Sequence, residues 1–245
     1  MTPRPFLTAQ WRDLAILNFE ADPAVLRPLV PAGTELDDWR GRTLVSVVGF
    51  LFLDTRVLGV PIPFHRDFEE VNLRFYVRRR GPEGWRRAVV FVKELVPRRA
   101  IALTARLVYG EQYVALPMGH RIDVETGRGR VARRVAYSWK LNGHQNRIQV
   151  SVHGDPRDTA PGSQEEFITV HHWGYARRRN GGTLEYRVEH PRWRVWDAAD
   201  SRLECDVTPL YGEAFAECLG ASPTSAFLAD GSTVRVFKGT AVRPQ

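Results

Sequence analysis

The chain has 245 residues, 43% of them hydrophobic, and a formal net charge of +7. That apolar fraction supports a packed core and excludes disorder as the main state. The length suits one large β domain, and residues 1–245 are read as a single domain. No apolar run approaches the ~20 residues of a membrane helix, so no membrane partner is expected. Met1-Thr2-Pro3-Arg4-Pro5 leads into Trp11-Arg12-Asp13 without a hydrophobic signal core, and Cys205 and Cys218 have no zinc or disulfide spacing. A cytoplasmic protein with free thiols is the expectation.

In chain order, strand-like segments fall at Leu14–Glu20, Thr43–Leu53, Val71–Arg79, Arg86–Val96, Arg130–Trp139, Arg147–His153, Thr183–Glu189 and Thr233–Phe237. Short Gly- and Pro-marked loops separate them, among them Pro31-Ala32-Gly33, Gly81-Pro82-Glu83-Gly84, Pro161-Gly162-Ser163 and Asn180-Gly181-Gly182. Many short strands joined by tight turns predict an antiparallel sandwich or barrel. Three helices interrupt the pattern. Asp22-Pro23 supplies an N-cap and a first-turn proline ahead of Leu26 and Leu29. Pro97–Gly110 is alanine-rich, with Ile101, Ala105 and Val108 at helical spacing and Gly110 as the stop. Thr208-Pro209 opens the third, with Leu210, Ala214, Glu217 and Cys218 behind it. The fold class is α+β, mainly antiparallel β, with a few short helices on or inside a barrel.

The segment Glu70-Val71-Asn72-Leu73-Arg74-Phe75-Tyr76-Val77 alternates cleanly. Val71, Leu73, Phe75 and Val77 share one face, and Glu70, Asn72, Arg74 and Tyr76 the other. A half-buried strand with its polar face in water would give this pattern. So would a strand lining a polar cavity, since carboxylate, amide, guanidinium and phenol differ in hydrogen-bonding role.

This string resembles the signature strand of the YqjF-like family, whose function is unknown. Asp22-Pro23-Ala24 through Leu29-Val30-Pro31-Ala32-Gly33-Thr34-Glu35-Leu36-Asp37 is similar to that family's first helix and turn, and Gly41–Phe52 to its next strand. Glu189-His190-Pro191-Arg192-Trp193 and Ser232-Thr233-Val234-Arg235-Val236 extend the likeness over almost the whole chain. The resemblance implies the fold of acetoacetate decarboxylase, a cone-shaped β-barrel around its active site. In that enzyme a helix ending in Arg, then Gly, precedes two adjacent lysines, and one forms an imine with a keto acid while the other lowers its pKa. Here Arg106 and Gly110 match, but Tyr113 and Val114 stand where the lysines would be, and Glu70 matches an acidic pocket residue. The resemblance therefore implies the barrel without its usual Schiff-base lysine.

Three lysines remain, Lys93, Lys140 and Lys238. Lys93, in Phe91-Val92-Lys93-Glu94, is the best substitute nucleophile and should face opposite to Glu94 on a regular strand, although a surface or rim lysine is the plainer reading. His171-His172 is the only adjacent histidine pair; on a strand the two would face apart, so no metal is expected. His171 alone is a candidate acid or base. There is no Gly-x-Ser-x-Gly elbow, and Gly127-Arg128-Gly129-Arg130 reads as a hairpin turn, not a phosphate loop. No cofactor is expected. The arginines are scattered or in short runs such as Arg78-Arg79-Arg80 and Arg177-Arg178-Arg179, which fits a solvated surface better than a nucleic-acid site.

Three functional readings are consistent with these residues, in rank order. The first is a barrel pocket for a small molecule, such as an organic acid, lined by Glu70, Asn72, Arg74, Arg106 and Tyr113, with an arginine fork for a carboxylate and Glu70 as general base. The second is a lysine-dependent decarboxylase or aldolase-like enzyme using Lys93. The third is a non-enzymatic protein whose basic surface binds nucleic acid or an acidic partner. The sequence leaves a homo-oligomer open.

Overall fold

The computed structural model describes residues 4–103, 112–127, 130–178 and 180–242, and sixteen strands run through them. The first half of the chain contributes β1 (Leu7–Glu20), β2 (Glu35–Leu36), β3 (Leu44–Val57), β4 (Val60–Pro61), β5 (Phe68–Gly81), β6 (Gly84–Val96) and β7 (Tyr113–Ala115). Next come β8 (Met118–Gly127), β9 (Arg130–Leu141), β10 (His144–His153), β11 (Arg157–Asp158) and β12 (Trp173–Arg177). The last are β13 (Thr183–Glu189), β14 (Arg194–Glu204), β15 (Ser225–Val236) and β16 (Thr240–Ala241). Short helices α1 (Pro23–Leu26), α2 (Gln164–Thr169), α3 (Val207–Tyr211) and α4 (Ala216–Gly220) interrupt them, and residues 99–103 are also helical.

The fold is α+β and mainly antiparallel. From β13 the hydrogen-bonded path runs through β12, β6, β5, β3 and β1 to β15. There β15 pairs back to β13 through Val236↔Val188 and Arg235↔Glu189, which closes a ring of seven strands. Within the ring only β6 and β12 run parallel. Such a ring agrees with the cone-shaped barrel that the resemblance implied. Beyond β15 the path continues through β14, β10, β9 and β8, and this second layer packs on the outside of β1, β3 and β5.

Alternation sorts the ring strands between two cores. Leu14 and Ile16 of β1, and Val48, Phe50 and Phe52 of β3, belong to an inner cluster with Phe68, Val89, Phe167 and Trp193. Ala15, Leu17, Val45, Val47, Leu73 and Phe75 belong to an outer cluster with Val135, Tyr137, Trp139 and Ile148 of the second layer. Burial on both faces explains why Leu44–Leu53 reads as a continuous apolar run. The layers meet closely at Gly49, where an added Cβ would lie 2.6 Å from the Tyr137 ring. Tyr137 crosses to β1 as well, donating its hydroxyl to the Asp13 carbonyl at 2.8 Å.

The first expected helix forms as read, with the Asp22 side chain accepting from the Ala24 amide at 2.8 Å and Pro23 in the first turn. Of the expected Pro97–Gly110 helix, 99–103 are helical, Pro97 and Arg98 precede the helix, and 104–110 lie outside the described residues. The third helix is not continuous. Gly212, at φ 96°, ends α3 after Tyr211, and a 3-10 turn over Glu213–Phe215 separates it from α4. The last strand begins at Ser225 rather than Thr233, because β15 pairs with β1 in unbroken register past Asp230-Gly231. Gly231, at φ 76°, pairs with Arg12, next to Asp13, φ 57°, where the β1–β3 register shifts. Gly127 pairs with Arg130, as a hairpin requires.

Gly49→Ala should lower stability by about 1–3 kcal/mol, the usual result of overfilling a packed interface. A urea midpoint unchanged from wild type would contradict the close contact between the layers.

Candidate functional site

The polar row of β5 points inward. Glu70, Asn72, Arg74 and Tyr76 are 3%, 2%, 8% and 1% exposed, so this row does not face water. Glu70, Asn72 and Arg74 line a cavity of about 100 Å3 inside the ring, opposite an aromatic wall that includes Trp11, Phe50, Phe52 and Trp193. Tyr76 is anchored at its own end of the row by donating its hydroxyl to Ser46 Oγ at 2.6 Å, which donates to Asn18 Oδ1, whose amide donates to Ser225.

β6 supplies the facing carboxyl through an irregularity. Leu73 pairs with Lys93, but Arg74 pairs with Phe91, so β6 carries one extra residue at Val92. A β-bulge of this kind reverses the in–out order of the residues beyond it. Val89 and Phe91 line the cavity, and regular alternation would bring Lys93 in after them. Instead Glu94 lines it, 2% exposed, while Lys93 turns outward and donates its ammonium to the Leu210 carbonyl on α3. Half-burial there lowers the Lys93 pKa, but its amine faces away from the cavity.

β7 runs parallel to β6 with Tyr113 opposite Glu94. Its hydroxyl donates to Glu70 Oε2 at 3.3 Å and also hydrogen-bonds Glu94. The Asn72 amide donates to Glu70 Oε1 at 3.1 Å. Arg74 donates from Nη2 to the Ile168 carbonyl at 3.1 Å.

α2 delivers the far side of the cavity. Ser163 caps its start by accepting from the Glu166 amide at 3.2 Å, and the Glu166 carboxylate accepts from the Gly162 amide at 2.7 Å. This Ser-x-x-Glu arrangement is a capping signal hidden in what reads as a loop. His171 lies after the helix in a connecting segment, not on a strand. Its ring lies 4.8 Å from that of Tyr76 and meets Phe167 edge-on. His190, also on the lining, stacks on Trp193 with centroids 4.3 Å apart.

Burial sets the electrostatics. It pushes the Glu70 carboxyl up to about 7, against the lowering effects of the Asn72 and Tyr113 hydrogen bonds and the Arg74 charge. Desolvation holds His171 well below its ordinary value, helped by the neighbouring charges of Arg74 and Arg87; the nearby Ile168 carbonyl only partly offsets this. His190 falls to about 4, again mainly by burial, so both rings are neutral at neutral pH.

Several cavity groups lack the partners that buried polar atoms almost always have. Trp11 Nε1, Asn72 Oδ1, Arg74 Nε and both ring nitrogens of His171 are buried without a hydrogen bond. All four of these residues line the cavity, and the unpartnered atoms include both donors and acceptors.

Of the residues expected from sequence, Glu70, Asn72, Arg74, Tyr113 and His171 converge on the cavity. Lys93 does not, and Arg106 lies outside the described residues. Sequence reasoning missed Glu94, Trp11, Tyr186, His190 and the aromatic wall. Glu94 needed the bulge, which no glycine or proline marks. The wall is assembled from β1, β3 and the segment before β14, with no local signal joining them. Among the described residues no group of three His, Cys, Asp or Glu is placed to hold a metal, and no helix is long and apolar enough to cross a membrane. In the Arg78–Arg80 run, Arg78 pairs with Glu35 and Arg79 with Glu185.

The profile of the DUF2071 family, described as an uncharacterized conserved protein (COG2071), matches residues 8–233. The uncharacterized protein YqjF of Bacillus subtilis is 37% identical over 75 residues, which span 30% of this chain and 31% of YqjF. The structure is similar to that of MppR, an enduracididine biosynthesis enzyme complexed with pyruvate, with a TM-score of 0.66 at 13% identity over 98% of this chain and 91% of the other. Acetoacetate decarboxylase from Legionella pneumophila gives 0.64 at 12% identity, covering 98% and 88%. An acetoacetate decarboxylase-like enzyme from Sphingomonas wittichii gives 0.65 at 15%, covering 97% and 92%. At these identities the likeness establishes the fold.

A buried acid with a raised pKa binds its proton more tightly when folded, so Glu70 favours the folded state below its unfolded value of about 4.5, and this is lost as the pH rises through about 7. His171 and His190, whose values are lowered, act in the opposite sense below about 6.5. Comparison with Glu70→Gln removes their contribution. Urea midpoints should show wild type losing stability relative to Glu70→Gln between pH 4.5 and 7, by about 3 kcal/mol in total. Parallel profiles would mean that Glu70 titrates normally.

Proposed function

The chain belongs to the DUF2071 family, and from the geometry of its cavity we propose that it binds a small organic acid within the ring and acts on it without imine chemistry. The observation that carries this reading is Arg74. Its side chain lines the cavity and is buried, Nη2 is used on a backbone carbonyl, and Nε is left without a partner. An unpaired buried donor on a cation is unfavourable, and a carboxylate is the group whose oxygens best match the guanidinium fork. The Trp11, Phe50, Phe52 and Trp193 wall supports an acid whose remaining body is apolar.

Glu70 is the acid–base group of this reading. It touches the same space, and its pKa of about 7 lets it take or release a proton near neutrality. Tyr113, at the place where the resemblance sets a lysine, donates to Glu70 instead of offering an amine. Lys93 is engaged with α3, so nothing in the geometry favours the lysine-dependent alternative. Ion pairing of the surface arginines likewise lends no support to an acidic macromolecular partner. We read the chain as one working unit built around this cavity.

A panel of 2- and 3-oxo acids and their saturated counterparts, titrated by calorimetry, tests the reading. At least one should bind, and Arg74→Gln should weaken it by about tenfold or more, the usual loss for a charged hydrogen bond. Equal affinity in Arg74→Gln would remove the carboxylate from Arg74. Borohydride treatment with the same panel should leave all lysines unmodified, and an adduct on Lys93 would establish the imine route.

A further inference from the structure

The hydrogen-bonded path through the sheet has two ends. One is β16, of 2 residues. The other is β8, of 10 residues, which pairs with β9 without a register break from Met118↔Trp139 to Gly127↔Arg130. Among the described residues no strand pairs with the far edge of β8. An open edge offers its backbone donors and acceptors to any extended segment, and folds guard against this with proline, lysine, bulges, charges or short length. β8 holds no proline and no lysine, and it is neither short nor bulged. Its charged side chains, Arg121, Asp123 and Glu125, are of both signs, so they do not repel every partner alike.

Alternation puts Met118, His120, Ile122 and Val124 on one face of β8. Met118 and Ile122 pack against the outer core, and Ile122 stands opposite the fully buried Val135. That cover runs out toward the hairpin, where Val124 is 54% exposed and Val131, opposite Thr126 on β9, is 37% exposed. The other face carries the charges. Arg121 and Asp123 pair along the strand at 2.8 Å, with the Arg121 side chain 79% exposed.

We propose that β8 is the interface of a homodimer, pairing antiparallel with β8 of a second copy about a two-fold axis at Ile122. The second layers of the two copies then form one continuous sheet. Such an axis stands perpendicular to the sheet and keeps each face on its own side, so one residue must pair with its own copy. Centred on Arg121 or on Asp123, the pairing sets two like charges directly opposite, which is destabilising. Centred on Val124, it sets Asp123 against Glu125. Centred on Ile122, Arg121 of each copy faces Asp123 of the other and no like charges meet. Ile122 then meets Ile122 beside the outer core, and His120 of the second copy lies against the exposed Val124. Exposed ion pairs add little affinity. They select the register, while the backbone hydrogen bonds and the apolar face hold the copies together. The cavity lies within the ring, so this interface is independent of the acid-binding reading.

Sedimentation of the full chain over a concentration series tests the proposal. Wild type should dimerise as its concentration rises. Arg121→Asp and Asp123→Arg should each weaken the dimer by about tenfold or more, because each sets like charges opposite on both sides of the axis. The double reversal should restore it. Ile122→Cys should cross-link to its own copy under mild oxidation, with the joined peptides identified by mass spectrometry, since opposed residues on paired strands lie within disulfide reach. A chain that stays monomeric throughout, a dimer indifferent to the single reversals, or a folded double reversal that remains monomeric would overturn the proposal.

Discussion

Between Leu73 and Arg74 the β5–β6 ladder slips by one residue, and that slip decides which side chains the cavity receives. Both faces of these strands are buried, the outer one against β9 and β10 and the inner one within the ring. A polar side chain on either face must therefore be hydrogen-bonded or shift its protonation. The extra residue at Val92 turns Glu94 in and Lys93 out. Among the described residues, the cavity then receives Glu70, Glu94 and Arg74 and no amine.

Burial on two sides also explains the resistance of this arrangement to drift. A one-residue change of register on β5 would move Val71, Leu73 and Phe75 into the cavity and Glu70, Asn72 and Arg74 into the outer core. The outer core is closed by Tyr137 and Trp139, both fully buried, and has no place for a charge. The scaffold thus fixes the polar row by exclusion, while Ser46 and Tyr76 pin one end of it.

Much of this was legible in the sequence where the signal is local. The alternation of Glu70–Val77 gave the two faces of β5, and Asp22-Pro23 gave the first helix. The identity of the polar face was not legible from alternation, because a water-facing strand has the same pattern. Only the resemblance of the string to a barrel family pointed inward. The Ser163–Glu166 cap was present but sits behind a Pro-Gly turn that reads as loop. Contacts between distant segments were out of reach. The β13–β15 closure and the parallel β6–β12 pair depend on partners far apart in the chain, and the bulge at Val92 has no glycine or proline to mark it.

The central claim is that the unpartnered guanidinium edge of Arg74 is the anchor for an acid. Nitrogen-15 NMR of the arginine side chains, with the Arg74 Nε signal assigned by its loss in Arg74→Gln, observes that edge directly. Titration with a small oxo acid should move this signal strongly and saturably while the ion-paired surface arginines stay still. An acid that binds and leaves Arg74 Nε unshifted, or no response from it to any acid of the panel, would contradict the account.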